Sequence, residues 1–158
     1  MKEIVLTGGF HAIVDNEDYK ELNRWKWCCL KSKNGIYAKR RKPGPALPYK
    51  LILMHRDILK AKPGQMIDHI NGNGLDNRRQ NLRFCSPMQN ARHKTKLQLN
   101  NKSGTTGVSW DKMTRKWRAQ ISVKRKSEYI GIYKRKYNAI KARKDRANLL
   151  FKEFAPLV

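Results

Sequence analysis

The fold turns on Met66-Ile67-Asp68-His69-Ile70-Asn71-Gly72-Asn73-Gly74-Leu75-Asp76-Asn77, continued by Asn81-Leu82-Arg83-Phe84 and by Ser86-Pro87 through Asn90. The stretch reads as two short strands joined by a turn-rich loop, with a helix starting after the second strand. Gly72, Asn73, Gly74 and Asn77 supply the loop, since glycine and asparagine accept the positive φ that tight turns demand. Ser86 suits an N-cap and Pro87 the first helical turn, where a missing N–H is harmless. Asp68 and His69 close the first strand, and Asn90 falls one turn into the helix. A carboxylate, an imidazole and a carboxamide are thereby expected to converge. Such a set can hold one hard cation beside a phosphodiester and activate a water molecule.

The segment from His55 to His93 resembles the HNH nuclease motif, the ββα-metal fold of homing endonucleases carried by phages and mobile introns. Asp68-His69, Asn81 and Asn90 match its three blocks in order and spacing. The resemblance implies that Asp68 and Asn90 are metal ligands and that His69 is the general base. It also implies that Asn81 braces the loop and helps to orient the imidazole. The third block is asparagine here, where some relatives use histidine. That departure favours Mg²⁺ or Mn²⁺ over zinc, because oxygen donors suit harder ions. The chemistry agrees: a histidine near its ordinary pKa is partly neutral at cellular pH and can accept a proton. Without the resemblance, Asp-His-x-Asn-Gly also reads as a hairpin turn with a capping aspartate.

Composition bounds the partners. Lys and Arg number 36 against 12 acidic residues, a net charge of +24 over 158 residues. A field of that size draws polyanions, and double-stranded DNA is the expected partner. A ribosomal or chromatin-type basic protein, or a membrane-surface peptide, competes, but four tryptophans and six tyrosines argue for folded modules. No apolar run approaches the ~18 residues of a membrane span. The N-terminus lacks a secretion signal, so residence in the cytoplasm of a bacterial host, on a phage or mobile element, is expected. Cys28, Cys29 and Cys85 are odd in number and form no Cys-x-x-Cys pair, which suggests neither a disulfide frame nor a structural zinc.

Along the chain, residues 1–50 read as an N-terminal α+β leader. Ile4–Leu6 and Phe10–Val14 flank a Thr7-Gly8-Gly9 turn, and Asp15-Asn16-Glu17-Asp18 starts a helix. Tyr19, Leu22 and either Trp25 or Trp27 share its face. Trp27–Lys31 and Ile36–Lys39 form a second hairpin about Asn34-Gly35. The basic run Lys39-Arg40-Arg41-Lys42 is a candidate phosphate-contacting loop through Arg40 and Arg41. The leader's acidic-Tyr…Trp-Lys-Trp pattern resembles that of many phage HNH proteins. Residues 51–96 hold the nuclease core. There His55 is expected to pack beneath the site, and Arg56 and Arg83 to grip phosphates. His93 reads either as a phosphate contact or as a solvent-exposed helix residue.

Residues 97–103 are polar and turn-prone and read as a linker to a last module, residues 104–158. In the strand 117–124, Trp117, Ala119, Ile121 and Val123 alternate with Arg118, Gln120, Ser122 and Lys124. A third strand is expected to turn Ile130 and Ile132 inward and Tyr129 outward. A helix from Tyr137 to Phe154 covers the apolar face. With Gly-Val-x-Trp, Lys-Trp-x-Ala-x-Ile and Ile-Gly-x-Tyr, the module resembles the APETALA2-type DNA-binding domain. That resemblance implies a DNA-facing set of Ser109, Gln120, Ser122, Ser127 and Tyr129. Arg118 and Lys124 share the face by alternation. Serines and a glutamine stand where the plant domains carry arginines and tryptophans, which implies different base preferences.

The expected fold class is therefore α+β: a hairpin and helix leader, a ββα-metal core, and a three-stranded antiparallel sheet packed on one helix. The expected activity is a Mg²⁺- or Mn²⁺-dependent, homing-type DNA endonuclease that nicks as a monomer or weak dimer. A DNA-binding regulator with an inactive core, or a structure-specific nuclease, are the alternatives.

Overall fold

The computed structural model describes residues 1–33, 35–42, 44, 50–93, 97, 101–123 and 126–156, with the side chain of Arg92 left aside. Lys124 and Asn34 lie outside the described residues. The chain divides into two compact units, Met1–Pro87 and Met88–Val158. It is an α+β protein.

In the first unit, alternating burial writes the strands. β1 (Lys2–Thr7) buries Ile4 and Leu6 and exposes Glu3 and Val5. It pairs antiparallel with β2 (His11–Val14) through a turn in which Gly8 and Gly9 take φ of 94° and 78°, a region that favours glycine. α1 (Asn16–Leu22) returns the chain so that β3 (Trp27–Ser32) runs parallel to β1 on its other edge. β4 (Gly35–Arg41) and β5 (Leu51–Leu53) complete the sheet in the order β2-β1-β3-β4-β5. Trp27 is the core anchor at 1% exposure, its indole N–H donating to the Leu22 carbonyl at 2.8 Å. Trp25 is exposed at 39%, with the Arg40 guanidinium over its ring at 4.5 Å. Of the two tryptophans expected against α1, Trp27 therefore enters the core. α2 (Met54–Ile58) adds Met54 and Ile58 to it.

The chain then makes the hairpin that the sequence opened on, β6 (Met66–His69) and β7 (Leu82–Cys85), paired Asp68 to Arg83 and His69 to Leu82. α3 (Pro87–Arg92) begins at the proline, as its missing N–H predicts.

The second unit is built on β8 (Val108–Asp111), β9 (Lys116–Val123) and β10 (Lys126–Tyr133), an antiparallel sheet against α4 (Lys136–Phe151). Gly107 takes φ of 81°, and a β-carbon there would stand 2.3 Å from the Gln120 carbonyl oxygen. Only glycine fits. In β9, Ala119 and Ile121 are buried and Arg118, Gln120 and Ser122 exposed, as alternation requires. β10 departs from its expected phase. A bulge between Tyr129 and Gly131 sets Ile132 opposite Arg118, on the outer row, and Tyr133 opposite Trp117, in the core. The expected inward Ile132 is thus corrected: the extra residue shifts the pleat by one position. α4 ends at Phe151, earlier than expected, where Lys152 takes φ of 49° and a short 3-10 turn carries Phe154 back to a buried position.

Candidate active site and nucleic-acid interface

The loop from β6 to β7 is held by asparagine side chains that replace missing backbone partners. Asn71 Oδ1 accepts from the Asn73 N–H at 2.9 Å, and Asn73 Oδ1 from the Leu75 N–H at 3.0 Å. Asn81, buried at 6%, sits at the neck of the loop. Its Oδ1 accepts the Asn71 N–H at 2.9 Å, while its Nδ2 donates to Asn71 Oδ1 and to the Asp76 carbonyl at 3.0 and 2.7 Å. Asp76 is 2% exposed and takes Arg78 through two guanidinium nitrogens at 2.8 and 2.7 Å. That pairing holds its carboxyl below the usual carboxylate range.

The leader supplies the loop's outer support. The Ile13 N–H donates to the Leu75 carbonyl at 2.8 Å and the Asn77 N–H to the Ile13 carbonyl at 2.7 Å, so β2 pairs with the loop as a further strand would. Arg79 docks on the start of α1. Its N–H reaches Asp15 at 2.8 Å, and its guanidinium reaches Glu17 and Asp18 at 3.0 and 2.7 Å. This acidic trio is a clamp for Arg79.

Within this frame Asp68 and His69 are 8% and 5% exposed. Arg83, directly across the hairpin, donates to Asp68 Oδ2 through Nε at 3.0 Å and Nη2 at 2.7 Å. His69 Nε2 lies 3.3 Å from Asn77 Oδ1, and Asn77 is fully buried. The ring nitrogen therefore meets Asn77, while Asn81 holds the loop that carries Asn77. Burial lowers the His69 pKa from 6.5, against the Asn77 hydrogen bond and the carboxylates of Asp68 and Asp76, which raise it. A neutral imidazole beside a buried carboxylate can accept a proton.

His55, on α2, is 7% exposed and packs edge-on against His69 with ring centroids 5.0 Å apart. Its Nδ1 has no hydrogen-bond partner among the described residues. Burial, then the neighbouring His69 and Arg56, push its pKa from 6.5 down to about 3. The unfolded chain takes that proton near 6.5 and the folded chain only near 3, so His55 favours unfolding progressively as pH falls between those values. The urea midpoint is expected to drop between about pH 7 and about pH 5, and to drop less in His55→Gln, which chemical denaturation at the two pH values reads directly.

The other expected contacts are distributed as follows. Arg40 is buried and bound to Asp57 at 2.9 Å, and Arg41 is exposed at the end of β4. Arg56 donates to the carbonyls of Lys62 and Gln65. Asn90, half-buried in α3, and His93, which is buried and not the solvent-exposed residue of the alternative reading, belong to the second unit. Ser109, Arg118, Gln120, Ser122, Ser127 and Tyr129 are all exposed on the sheet of that unit. Ser109 pairs with Arg118, Gln120 with Tyr129, and Ser122 with Ser127. Arg118 is tied to Asp111 at 2.8 Å. Residues 88–158 carry 19 of the basic residues and four of the acidic ones, a denser charge than the first unit's.

The buried Asp68 carboxylate beside His69 is an oxygen donor suited to a hard divalent cation, the kind of ion that HNH nucleases generally use. No helix among the described residues is long and apolar enough to cross a membrane. The family model described as HNH endonuclease matches residues 60–92. The chain is 38% identical over 83 residues to "Protein 3.8" of Escherichia phage T7, an alignment covering 49% of this chain and 68% of that protein. No solved structure matches. The chain thus belongs to the family of phage T7 protein 3.8 and carries an HNH endonuclease domain, whose substrate is a nucleic acid.

Proposed function

We propose that the protein is a homing-type DNA endonuclease that nicks one strand of duplex DNA, targeted by the exposed sheet face of residues 88–158. The observation that carries this reading is the buried Asp68–His69 pair, with His69 Nε2 against Asn77 Oδ1 at 3.3 Å. An Nε2–H donated to Asn77 leaves Nδ1 as the proton acceptor. His69 Nδ1 takes a proton from water, and the resulting hydroxide oxygen bonds to phosphorus. The P–O3′ bond breaks, and the 3′-oxygen takes a proton from solvent. The products are a 5′-phosphate and a 3′-hydroxyl.

Asp68 and, by the sequence resemblance alone, Asn90 are the proposed ligands for Mg²⁺ or Mn²⁺, which when bound offsets charge on the scissile phosphate. Arg83 balances Asp68, and Arg40 and Arg56 hold the scaffold through the partners they already have. Arg41 and His93 are the proposed phosphate contacts. With one such base per chain, a monomer cuts one strand, and a double-strand break takes paired chains or a second event.

Relaxation of supercoiled plasmid tests the reading. Nicked circles are expected with Mg²⁺ and none with chelator. Products ending in 3′-phosphate would overturn the chemistry. If the protein shifts DNA yet cuts no duplex, branched or RNA substrate, a DNA-binding regulator becomes the better account.

The targeting role is supported by the outward row of Arg118, Gln120, Ser122, Ser127 and Tyr129, and by the resemblance to the APETALA2-type sheet. Lys124 joins them on the sequence pattern. The double substitution Gln120→Ala with Tyr129→Ala removes a cross-strand pair of exposed side chains without touching the core. It is expected to weaken duplex binding by about ten-fold or more, as loss of a base contact does. Titration at several salt concentrations checks this: the affinity falls and the salt slope, set by phosphate contacts, stays. Unchanged affinity would remove this face from the DNA-binding surface.

A further inference from the structure

We propose that Tyr37, reaching from the N-terminal sheet into contact with the His69 and His55 rings and with the loop at Gly74, is a positioning residue for the general base. The inference rests on the nuclease reading and goes beyond it, since Tyr37 lies on β4, outside the segment 60–92 matched by the HNH family.

Three rings meet at this point. Tyr37 and His69 have centroids 5.9 Å apart at 52°, Tyr37 and His55 5.8 Å apart at 64°, and His55 and His69 5.0 Å apart at 85°. Tyr37 and His55 together wall the imidazole. Rotating His69 about its ring bond would take Nε2 off Asn77 and sweep ring atoms into that wall. The loop side is equally close. A β-carbon on Gly74 would stand 2.6 Å from Tyr37 Cδ1 and 2.4 Å from the Ile36 carbonyl oxygen, so glycine lets the loop press against the tyrosine ring. Tyr37 therefore touches both the base and the loop that carries its hydrogen-bond partner. It does so through its ring, which makes phenylalanine an adequate substitute and leucine a poor one. The wall also brings no positive charge to the base near neutral pH, since burial holds the His55 pKa well below 6.5.

The test uses full-length protein in two measurements: Mg²⁺-dependent nicking of supercoiled plasmid, and long-range ¹⁵N–¹H spectra of the imidazoles without metal. Tyr37→Phe is expected to keep the wild-type kcat and a single Nε2–H tautomer at His69. Tyr37→Leu is expected to lower kcat roughly ten- to hundred-fold, the scale of a small misplacement of a catalytic group, with KM unchanged. Its His69 spectrum should show averaging between tautomers. If the leucine variant does not fold, Tyr37→Met, which adapts to irregular gaps, carries the same expectations. An unaltered His69 spectrum with wild-type kcat overturns the proposal. So does a raised KM at constant kcat, which would make Tyr37 a substrate contact, or an equal loss in Tyr37→Phe, which would assign the effect to the hydroxyl. If wild type cuts nothing but the leucine variant still averages the tautomer, the nuclease reading fails and the positioning role stands.

Discussion

His69→Ala is expected to slow Mg²⁺-dependent relaxation of supercoiled plasmid by roughly 10²–10⁴-fold, the usual contribution of a general base. In the proposed mechanism its ring is the proton acceptor, and Asn77, Tyr37 and His55 all touch that ring. DNA binding should survive, because the exposed face of the second unit is untouched. Comparing nicking rates with gel-shift affinities for the two proteins separates the effects. Equal rates for wild type and variant would move the base elsewhere, and a parallel loss of binding would point to a folding defect.

The second large effect is expected at Asn81. Alanine there removes three hydrogen bonds at the neck of the loop, stranding the Asp76 carbonyl in a buried setting and the Asn71 N–H in a partly buried one. At about 1–3 kcal/mol for each unsatisfied buried group, the first unit should lose roughly 2–4 kcal/mol. Urea titration read by amide exchange within residues 1–87 measures it. Asn81→Asp should be no better, since a carboxylate oxygen would then face Asn71 Oδ1 and the Asp76 carbonyl. Asn73→Ala, at an exposed position capping a turn, should cost only about 1 kcal/mol. If both alanine variants cost the same, the neck is not where the loop is held.

Local signals made the hairpin legible. Of the glycines and asparagines expected to take positive φ only Gly72 does, at 73°; Asn71 and Asn73 shape the loop through side-chain bonds instead, and Pro87 starts α3 as its chemistry predicts. Alternation gave β9 its faces for the same reason. What was not legible depends on partners distant in sequence. Nothing near Arg40 announces Asp57, and nothing near Arg83 distinguishes a phosphate grip from a cross-strand bond to Asp68. Asn77 read as one more turn former, because its role is defined by a histidine ring eight residues earlier and a strand carbonyl at Ile13. Ile132 departs from plain alternation because of the bulge at Gly131, a glycine whose place inside the strand is the local mark of that bulge.

The pairing of Ile13 with the loop at Leu75 and Asn77 bears on how portable the HNH segment is. Most of the turn's amides bond within the loop, but the Asn77 N–H and the Leu75 carbonyl meet Ile13, so the loop's outer edge is completed by a strand far away in the sequence. A peptide containing just the signature blocks would carry Asp68 and His69 and lack the outer support of their loop. Grafts and truncations of the segment should keep the turn only when the amino-terminal hairpin travels with it.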